Sequence, residues 1–138
     1  MTESDPRSRR QVPNAVRSLY IVDDDLAICE FIKIIAEDCG FAVTFATRVR
    51  EFRESFAVGV PDVVVSDIAM PAEDGVDLLE FLRAQDYRNP VILISQFEGF
   101  LRRAATFART IGIRQVQALS KPLTVDMVRA ALMRAARD

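Results

Sequence analysis

The sequence predicts a doubly wound α/β fold, in which one five-stranded parallel sheet carries five helices on its two faces. Five short apolar runs alternate along the chain with five segments whose apolar residues recur at helical spacing. The run from Val63 to Val65 has no polar alternation, which is typical of a strand buried on both faces. The connections are short, and right-handed crossovers place helices on both faces of such a sheet.

The strands are apolar runs that end in a polar residue or a turn signal. The first runs directly into acidic residues, and Asn89 and Pro90 form a turn before the fourth. In chain order the predicted strands are 18–22, 42–45, 63–66, 91–95 and 116–119.

The helices are predicted from their apolar faces and their end signals. Gly40 and Gly112 end the first and fourth helices, and Thr47 and Thr124 are expected to cap the second and fifth. In chain order the predicted helices are 26–39, 48–57, 75–85, 98–110 and 125–136. The apolar faces of the first three are expected to contain Leu26, Phe31, Ile32, Ile35, Ala36, Val49, Phe52, Phe56, Val76, Leu78, Leu79 and Leu82.

The chain length of 138 residues fits one domain with a full-sized core. Residues 1–17 are rich in Arg, Ser, Pro and Asn and are expected to form a disordered basic tail. Residues 18–138 are expected to form the single domain, with no output domain after it. No apolar run is long enough to span a membrane and no apolar segment precedes residue 19, so we expect a cytoplasmic protein.

Histidine and cysteine usage excludes several kinds of site. The chain has no histidine, which excludes a Ser-His-Asp triad, a histidine general base and a histidine-rich metal site. Cys29 and Cys39 lie on one predicted helix, where ten residues separate them by roughly 15 Å, too far for a disulfide.

Charge is distributed unevenly along the chain. Residues 18–97 carry 6 basic and 15 acidic residues, whereas residues 98–138 carry 8 basic and 3 acidic residues. The C-terminal third is therefore a basic face on an acidic body, which is either ordinary solvated helix surface or a surface for docking a partner.

Polar side chains lie where four of the predicted strands end. Asp23 and Asp24 follow the first strand, Asp67 the third and Lys121 the fifth, and Ser95 ends the fourth. In open α/β sheets, ligands bind outside the carboxyl ends of the strands. The first and third strands are neighbours in the flavodoxin-like order 2-1-3-4-5, so the two acidic groups should face each other. Taken alone, Asp67 could instead simply cap the following helix.

This combination of side chains suits phosphoryl chemistry. Three carboxylates in one place repel one another unless a cation lies among them, and oxygen ligands suit Mg²⁺. Lys121 adds a positive charge and Ser95 a hydroxyl donor. Such a site stabilises phosphoryl oxygens while Asp67 attacks an external donor in line, which forms an aspartyl phosphate.

The chain resembles the receiver domain of response regulators in two-component signalling, over residues 18–137. Each motif is weak alone, but their order and spacing are specific. The motifs are Ile21-Val22-Asp23-Asp24-Asp25, Pro61-Asp62, Ser66-Asp67-Ile68-Ala69-Met70-Pro71, Asp74-Gly75, Ser95 and Lys121-Pro122.

The resemblance implies a role for each site residue. Asp67 matches the phosphoacceptor, which together with Asp23, Asp24 and the main-chain carbonyl of Ala69 would bind Mg²⁺. Ser95 matches the switch hydroxyl and Lys121 the lysine that contacts the phosphoryl group, and Asp25 is expected only to start the first helix.

The resemblance also implies partners. The phosphodonor would be a sensor histidine kinase or a histidine phosphotransfer protein. A downstream protein with an acidic surface, or a second copy of the chain, is expected to dock on the fourth helix, fifth strand and fifth helix, where Phe97 and Phe100 lie beside Arg102 and Arg103. We expect no direct DNA binding and no membrane contact, and no enzymatic activity beyond the chain's own phosphorylation and dephosphorylation.

The sequence departs from the family pattern in three places. Ala118 stands three residues before Lys121, where the family usually has an aromatic residue. Gln96 follows the switch hydroxyl, where a small residue is usual, and residues 111–117 differ from the common Gly- and Ala-rich approach to the last strand. These departures put the usual aromatic swing in doubt.

Three other functions compete with the receiver. An aspartate-nucleophile phosphatase of the haloacid dehalogenase kind needs a second acid two residues after Asp67, where this chain has Ala69. A nucleotide-binding module needs a Gly-rich loop after the first strand, which here runs into acid. A receiver fold that acts without phosphorylation, as an interaction module only, is the alternative that Ala118 leaves open.

Overall fold

The structure is a computed structural model that describes residues 16–70 and 73–137, with residues 73–75 described by their backbone alone. Most of the predicted N-terminal tail therefore lies outside the described residues, and Arg17 is already the first residue of β1. The strands are β1 (Arg17–Val22), β2 (Phe41–Ala46), β3 (Val63–Asp67), β4 (Ala69–Met70), β5 (Glu73–Asp74), β6 (Val91–Ser95) and β7 (Val116–Ser120). The helices are α1 (Leu26–Asp38), α2 (Val49–Ser55), α3 (Gly75–Ala84), α4 (Glu98–Thr110) and α5 (Val125–Ala136).

Five of these strands form the predicted parallel sheet, in the order β2-β1-β3-β6-β7. This is the order 2-1-3-4-5 of the sequence prediction, with β6 and β7 as the fourth and fifth strands, so the predicted fold class is confirmed. The register pairs Val22 with Ser66, Asp67 with Ile94, and Ser95 with Ser120. The carboxyl ends of β1, β3, β6 and β7 therefore meet along one edge of the sheet.

The core lies in two layers, one on each face of the sheet. One layer packs α2, α3 and α4 against the sheet and contains Phe52, Leu79 and Leu101. The other packs α1 and α5 against the opposite face and contains Ile32 and Leu132. Residues of β3 and β6 are buried throughout, as expected for central strands covered on both faces.

The predicted helix signals were only partly right. Thr124 caps α5 by accepting the N–H of Met127 at 3.1 Å, as predicted. Thr47 does not cap α2, because Arg48 is the N-cap residue, in extended backbone and without a side-chain cap. Thr47 thus lies one residue too early to reach the first free N–H groups of the helix.

Two further features differ from the prediction. Leu26, the first residue of α1, is 50% exposed and does not belong to the buried face of that helix. The segment after β3 forms a two-stranded antiparallel sheet, β4 with β5, where only a loop was predicted.

Both cysteines are free, as expected from their separation, with Cys29 buried and Cys39 half-buried.

No helix among the described residues is long and apolar enough to cross a membrane.

Candidate functional site

The carboxyl edge of the sheet gathers the four ionisable residues that the sequence singled out there. Asp23 and Asp24 follow β1, Asp67 is the last residue of β3, and Lys121 follows β7. One carboxylate oxygen from each of the three aspartates lies within 4.8 Å of the others. The predicted juxtaposition of Asp23 and Asp24 with Asp67 is therefore present.

Asp67 lies at the centre of the site and is held at both carboxylate oxygens. Its side chain is nearly buried, and Oδ1 accepts the backbone N–H of Ala69 at 2.8 Å. Oδ2 accepts the Nζ ammonium of Lys121 at 2.9 Å. Asp67 therefore bonds within its own turn and to Lys121, and does not act as the side-chain cap of a helix.

Asp23 is the most deeply buried carboxylate of the site, with no exposed surface. Its Oδ1 accepts the backbone N–H of Asp25 at 2.9 Å. Its Oδ2 lies 3.1 Å from Nζ of Lys121, close enough for an ion pair but outside hydrogen-bond geometry, so this buried oxygen has no hydrogen-bond partner. Burial raises the pKa of Asp23 to about 6, and the negative charge of Asp67 acts in the same direction, against the Asp25 N–H and Lys121.

Lys121 is one ammonium group between two carboxylates. Burial by itself would lower its pKa, but the hydrogen bond to Asp67 and the charge of Asp23 outweigh burial and raise the pKa of Lys121. Its backbone is fixed as well, since its N–H donates to the carbonyl of Ser95 at 2.8 Å. The peptide bond between Lys121 and Pro122 is cis.

Ser95 lies at the end of β6 and is fully buried. Its hydroxyl oxygen accepts the backbone N–H of Phe97 at 2.9 Å. Phe97 is the residue directly before α4. The side chain is thus engaged with its own loop, and its only described link to Lys121 is through the backbone.

The remaining predicted residues have different positions. Asp24 is exposed at the rim. Asp25 caps α1 by accepting the N–H of Ala27 at 2.9 Å, as predicted for a helix-start residue. Ala69 contributes its N–H to Asp67, and the metal-ligand role of its carbonyl stays a prediction.

These residues fit a divalent cation with oxygen ligands. Three carboxylates converge on one ammonium group, and Oδ2 of the buried Asp23 has only that ammonium, at 3.1 Å, as a described partner. Three negative charges against one positive charge are costly in a partly buried site, and a bound cation would offset that cost. Carboxylates supplemented by water suit Mg²⁺.

The sequence analysis did not identify the contact between Cys29 and the backbone of Asp23, which helps to fix the loop after β1. The Sγ thiol of Cys29, in the first turns of α1, donates to the backbone carbonyl of Asp23 at 3.3 Å. The signal for it was a small residue at the inward position of α1 directly behind the acidic pair. Ala118, on the edge strand β7, is exposed, and this position therefore carries no aromatic ring.

The sequence matches a known family over most of its length. Residues 19–133 match the profile described as the response regulator receiver domain. The transcriptional regulatory protein FixJ of Bradyrhizobium diazoefficiens is 29% identical over 120 residues, which cover 87% of this chain and 57% of FixJ. ZraR of Escherichia coli K12 is 26% identical over 117 residues, covering 85% of this chain and 26% of ZraR. The chain thus spans only part of these two curated relatives.

Solved structures show the same fold. The receiver domain of the Francisella response regulator 1452 is 28% identical with a TM-score of 0.73, covering 88% of this chain and 97% of that one. A response regulator from Colwellia psychrerythraea is 26% identical with a TM-score of 0.77, covering 89% of this chain and 99% of that one.

Proposed function

The chain belongs to the response regulator receiver domain family, and from this membership and the site geometry we propose that Asp67 accepts a phosphoryl group in a two-component signalling pathway. The observation that carries the proposal is the position of Asp67. It lies at a strand end, within reach of two further carboxylates and 2.9 Å from a lysine ammonium.

The residues divide the chemistry between them. Mg²⁺, held by Asp23, Asp24, Asp67 and the carbonyl of Ala69, would neutralise the carboxylates and attract the donor's phosphoryl oxygens. One carboxylate oxygen of Asp67 attacks phosphorus in line, and the leaving group departs on the opposite side. Lys121 transfers its contact from the carboxylate to a phosphoryl oxygen, and Ser95 can turn its hydroxyl from Phe97 toward another.

The donor and the receiver of the signal follow from this chemistry. By family membership the donor is a sensor histidine kinase or a histidine phosphotransfer protein, and this chain has no histidine that could carry the phosphoryl group itself. The signal leaves through protein contacts on α4, β7 and α5, where Phe97 is 53% exposed and Arg102 and Arg103 are exposed on α4. We place the exchange in the cytoplasm, with an acidic partner or a second copy on that face and no contact with DNA or membrane.

Intact-mass measurement tests the acceptor. After incubation with Mg²⁺ and acetyl phosphate, the protein should gain one phosphoryl group that survives acid and is lost in base. Asp67→Asn should gain none, and Asp77→Asn, a matched change at an exposed aspartate of α3, should gain as much as the parent protein. Labelling of Asp67→Asn would remove Asp67 from the role.

A second function is favoured by the exposed Ala118 on β7. Without a ring beside Ser95, the fold could serve as an interaction module that needs no phosphorylation. A protein that binds Mg²⁺ and a partner equally well with and without the phosphoryl group would favour this alternative. An aspartate-nucleophile phosphatase remains disfavoured by Ala69, and release of phosphate from a monoester in many turnovers would support it.

A further inference from the structure

A cleft opens at the edge of the sheet opposite Asp67. It has a volume of about 670 Å³ and lies between the C-terminal ends of α3 and α4. Its lining includes Arg83, Tyr87, Arg88, Ile111, Ile113 and Arg114. The strand β6 begins beside it at Val91 and ends at Ser95, so five residues of strand, roughly 16 Å, separate the cleft from the acidic site.

Two matching helix ends build the cleft. After α3, Asp86 has a φ of 57° and Tyr87 N–H donates to the carbonyl of Leu82 at 2.9 Å. After α4, Gly112 has a φ of 103° and Ile113 N–H donates to the carbonyl of Ala108 at 2.9 Å. Both ends follow the Schellman pattern, which satisfies two of the last carbonyls of each helix. The negative ends of the two helix dipoles remain and favour arginine side chains in the lining, so an anionic ligand must bind through those side chains.

The floor of the cleft is apolar and fixed. Tyr87 and Ile113, the residues that follow the two left-handed positions, are 5% and 2% exposed. The hydroxyl of Tyr87 donates to the carbonyl of Pro61 at 2.8 Å, which holds the ring in place. Ile111, half-buried, completes the apolar part of the lining.

The lining has a net positive charge, and two of its three arginines have no described ion-pair partner. Arg88 pairs with Asp86 at 3.2 Å, but Arg83 and Arg114 form no ion pair with any described residue. Three arginines and one aspartate leave a surplus of two positive charges around one concavity. Neither guanidinium forms a described hydrogen bond, although Arg83 lies in the last turn of α3, where its charge complements the helix dipole. Both groups therefore remain available to bind an anion.

From this combination we propose that the cleft binds a small organic polyanion, an organic phosphate or a polycarboxylate with a compact apolar part. Small-molecule sites are concavities of about 300–1,000 Å³ with apolar walls and a few placed polar groups. Guanidinium groups match phosphate and carboxylate oxygens in a two-pronged geometry. The ligand's anionic groups bind Arg83 and Arg114, and its apolar part packs on the half-buried Ile111.

Amide chemical shifts of the ¹⁵N-labelled full chain test the site. Inorganic pyrophosphate and citrate, titrated separately without Mg²⁺, represent the phosphate and the carboxylate source. The expected result is a saturable shift of amides in 83–88 and 111–115 with at least one of the two probes. The probe that binds more tightly identifies the source.

Two double variants separate the cleft from general attraction to arginine. Arg83→Ala with Arg114→Ala should weaken binding by about tenfold or more, because each charge-assisted bond is lost. Arg48→Ala with Arg50→Ala removes two exposed arginines outside both the cleft lining and the docking face, and should leave the affinity unchanged. Non-saturating shifts, equal weakening in both variants, saturable shifts only near Lys121, or tighter binding of a glutamate-rich peptide than of either probe would each overturn the proposal.

Discussion

The ammonium group of Lys121 is shared between two carboxylates, at 2.9 Å from Asp67 and 3.1 Å from Asp23. A metal cation bound by the same carboxylates would attract both groups as well. Lysine and metal would therefore compete for the same negative charge, and under the proposed function both would then contact the phosphoryl group. This sharing decides how single substitutions in the site should behave.

Lys121→Ala should raise the affinity for Mg²⁺, because the competing cation is gone. In the absence of Mg²⁺ the same variant should be less stable than the parent protein, since two buried carboxylates lose their only cationic partner. Calorimetric Mg²⁺ titration and thermal melts with and without the metal measure both effects. Lys33→Ala, which breaks an exposed pair with Glu37, is the control and should change neither quantity. An unchanged Mg²⁺ affinity in Lys121→Ala would contradict the competition.

Asp23 should make the stability of the metal-free protein depend on pH. Burial raises the pKa of Asp23 to about 6 from an ordinary 3.8, so the folded state binds its proton more tightly than the unfolded chain does. The contribution of this group to the free energy of unfolding should therefore rise as the pH falls from 7 through 6 toward 4, by on the order of 1–3 kcal/mol.

Urea unfolding at several pH values, without Mg²⁺, measures that contribution as a difference between proteins. Asp23→Asn should be more stable than the parent at pH 7, and the difference should shrink toward pH 4, where the parent's carboxyl group is protonated when folded. Parallel stability curves for the two proteins across this range would show that ionised Asp23 carries no cost.

At the scale of elements, Ser95 connects β6 to α4. Its hydroxyl oxygen accepts the N–H of Phe97, and its carbonyl accepts the N–H of Lys121. α4 has no side-chain cap of its own at Phe97, so this bond is the side-chain contact that orders the entry to the helix. Drawing the hydroxyl toward a phosphoryl group would release that entry.

Ser95→Ala should loosen the start of α4 without phosphorylation. The amides of residues 97–100 should exchange faster, and the protein should lose about 1 kcal/mol of stability, the usual net contribution of one hydrogen bond. Hydrogen exchange measures the first and denaturant unfolding the second. The control is Ser120→Ala at the paired position on β7, because the hydroxyl of Ser120 makes no described hydrogen bond. Equal exchange in the two variants would leave Ser95 without this role.

Much of the fold could be predicted because the strong signals are local. The bounds of β6, α4 and α5 agree with the sequence prediction. An apolar run defines β6, Gly112 marks the end of α4, and Thr124 marks the start of α5. The prediction that Thr47 caps α2 was wrong because a shift of one residue in the helix start decides whether a side chain reaches a free N–H. The sequence does not define the helix start that closely. The β4–β5 pairing has too few residues to leave a periodic pattern.

The sequence was sufficient to predict which residues meet at the candidate site, but not the hydrogen bonds that they make there. Strand order alone brings Asp23, Asp67 and Lys121 to one edge, so the sequence was sufficient for that. The bond from Phe97 to Ser95 and the thiol of Cys29 beneath Asp23 depend on rotamers and on the exact turn geometry. These are properties of packing, which no spacing rule encodes.

At the scale of the whole molecule, the acidic site and the basic face lie on connected elements. β6 ends at Ser95, and α4 follows with exposed Phe97 and half-buried Phe100. On the neighbouring strand β7, the exposed Ala118 pairs with Leu93 of β6. In this chain no ring at position 118 can move when Ser95 moves. If Asp67 is phosphorylated as we propose, the signal is expected to travel as a displacement of the β6–α4 connection and of α4 itself.

Beryllofluoride, a phosphoryl mimic, should therefore change amide hydrogen exchange beyond the loops around Asp67. With Mg²⁺ present, we expect changes through residues 95–121, because Ser95 leaves Phe97 for the new oxygens and the entry to α4 rearranges with it. Asp67→Asn cannot bind the mimic in this way and should show none of these changes. Exchange that changes only around residues 23–25 and 67–70, with 95–121 as before, would indicate a phosphoryl carrier without a conformational switch. The same measurement on Ser95→Ala decides the route, since loss of the distant changes with the local ones retained places Ser95 between Asp67 and α4.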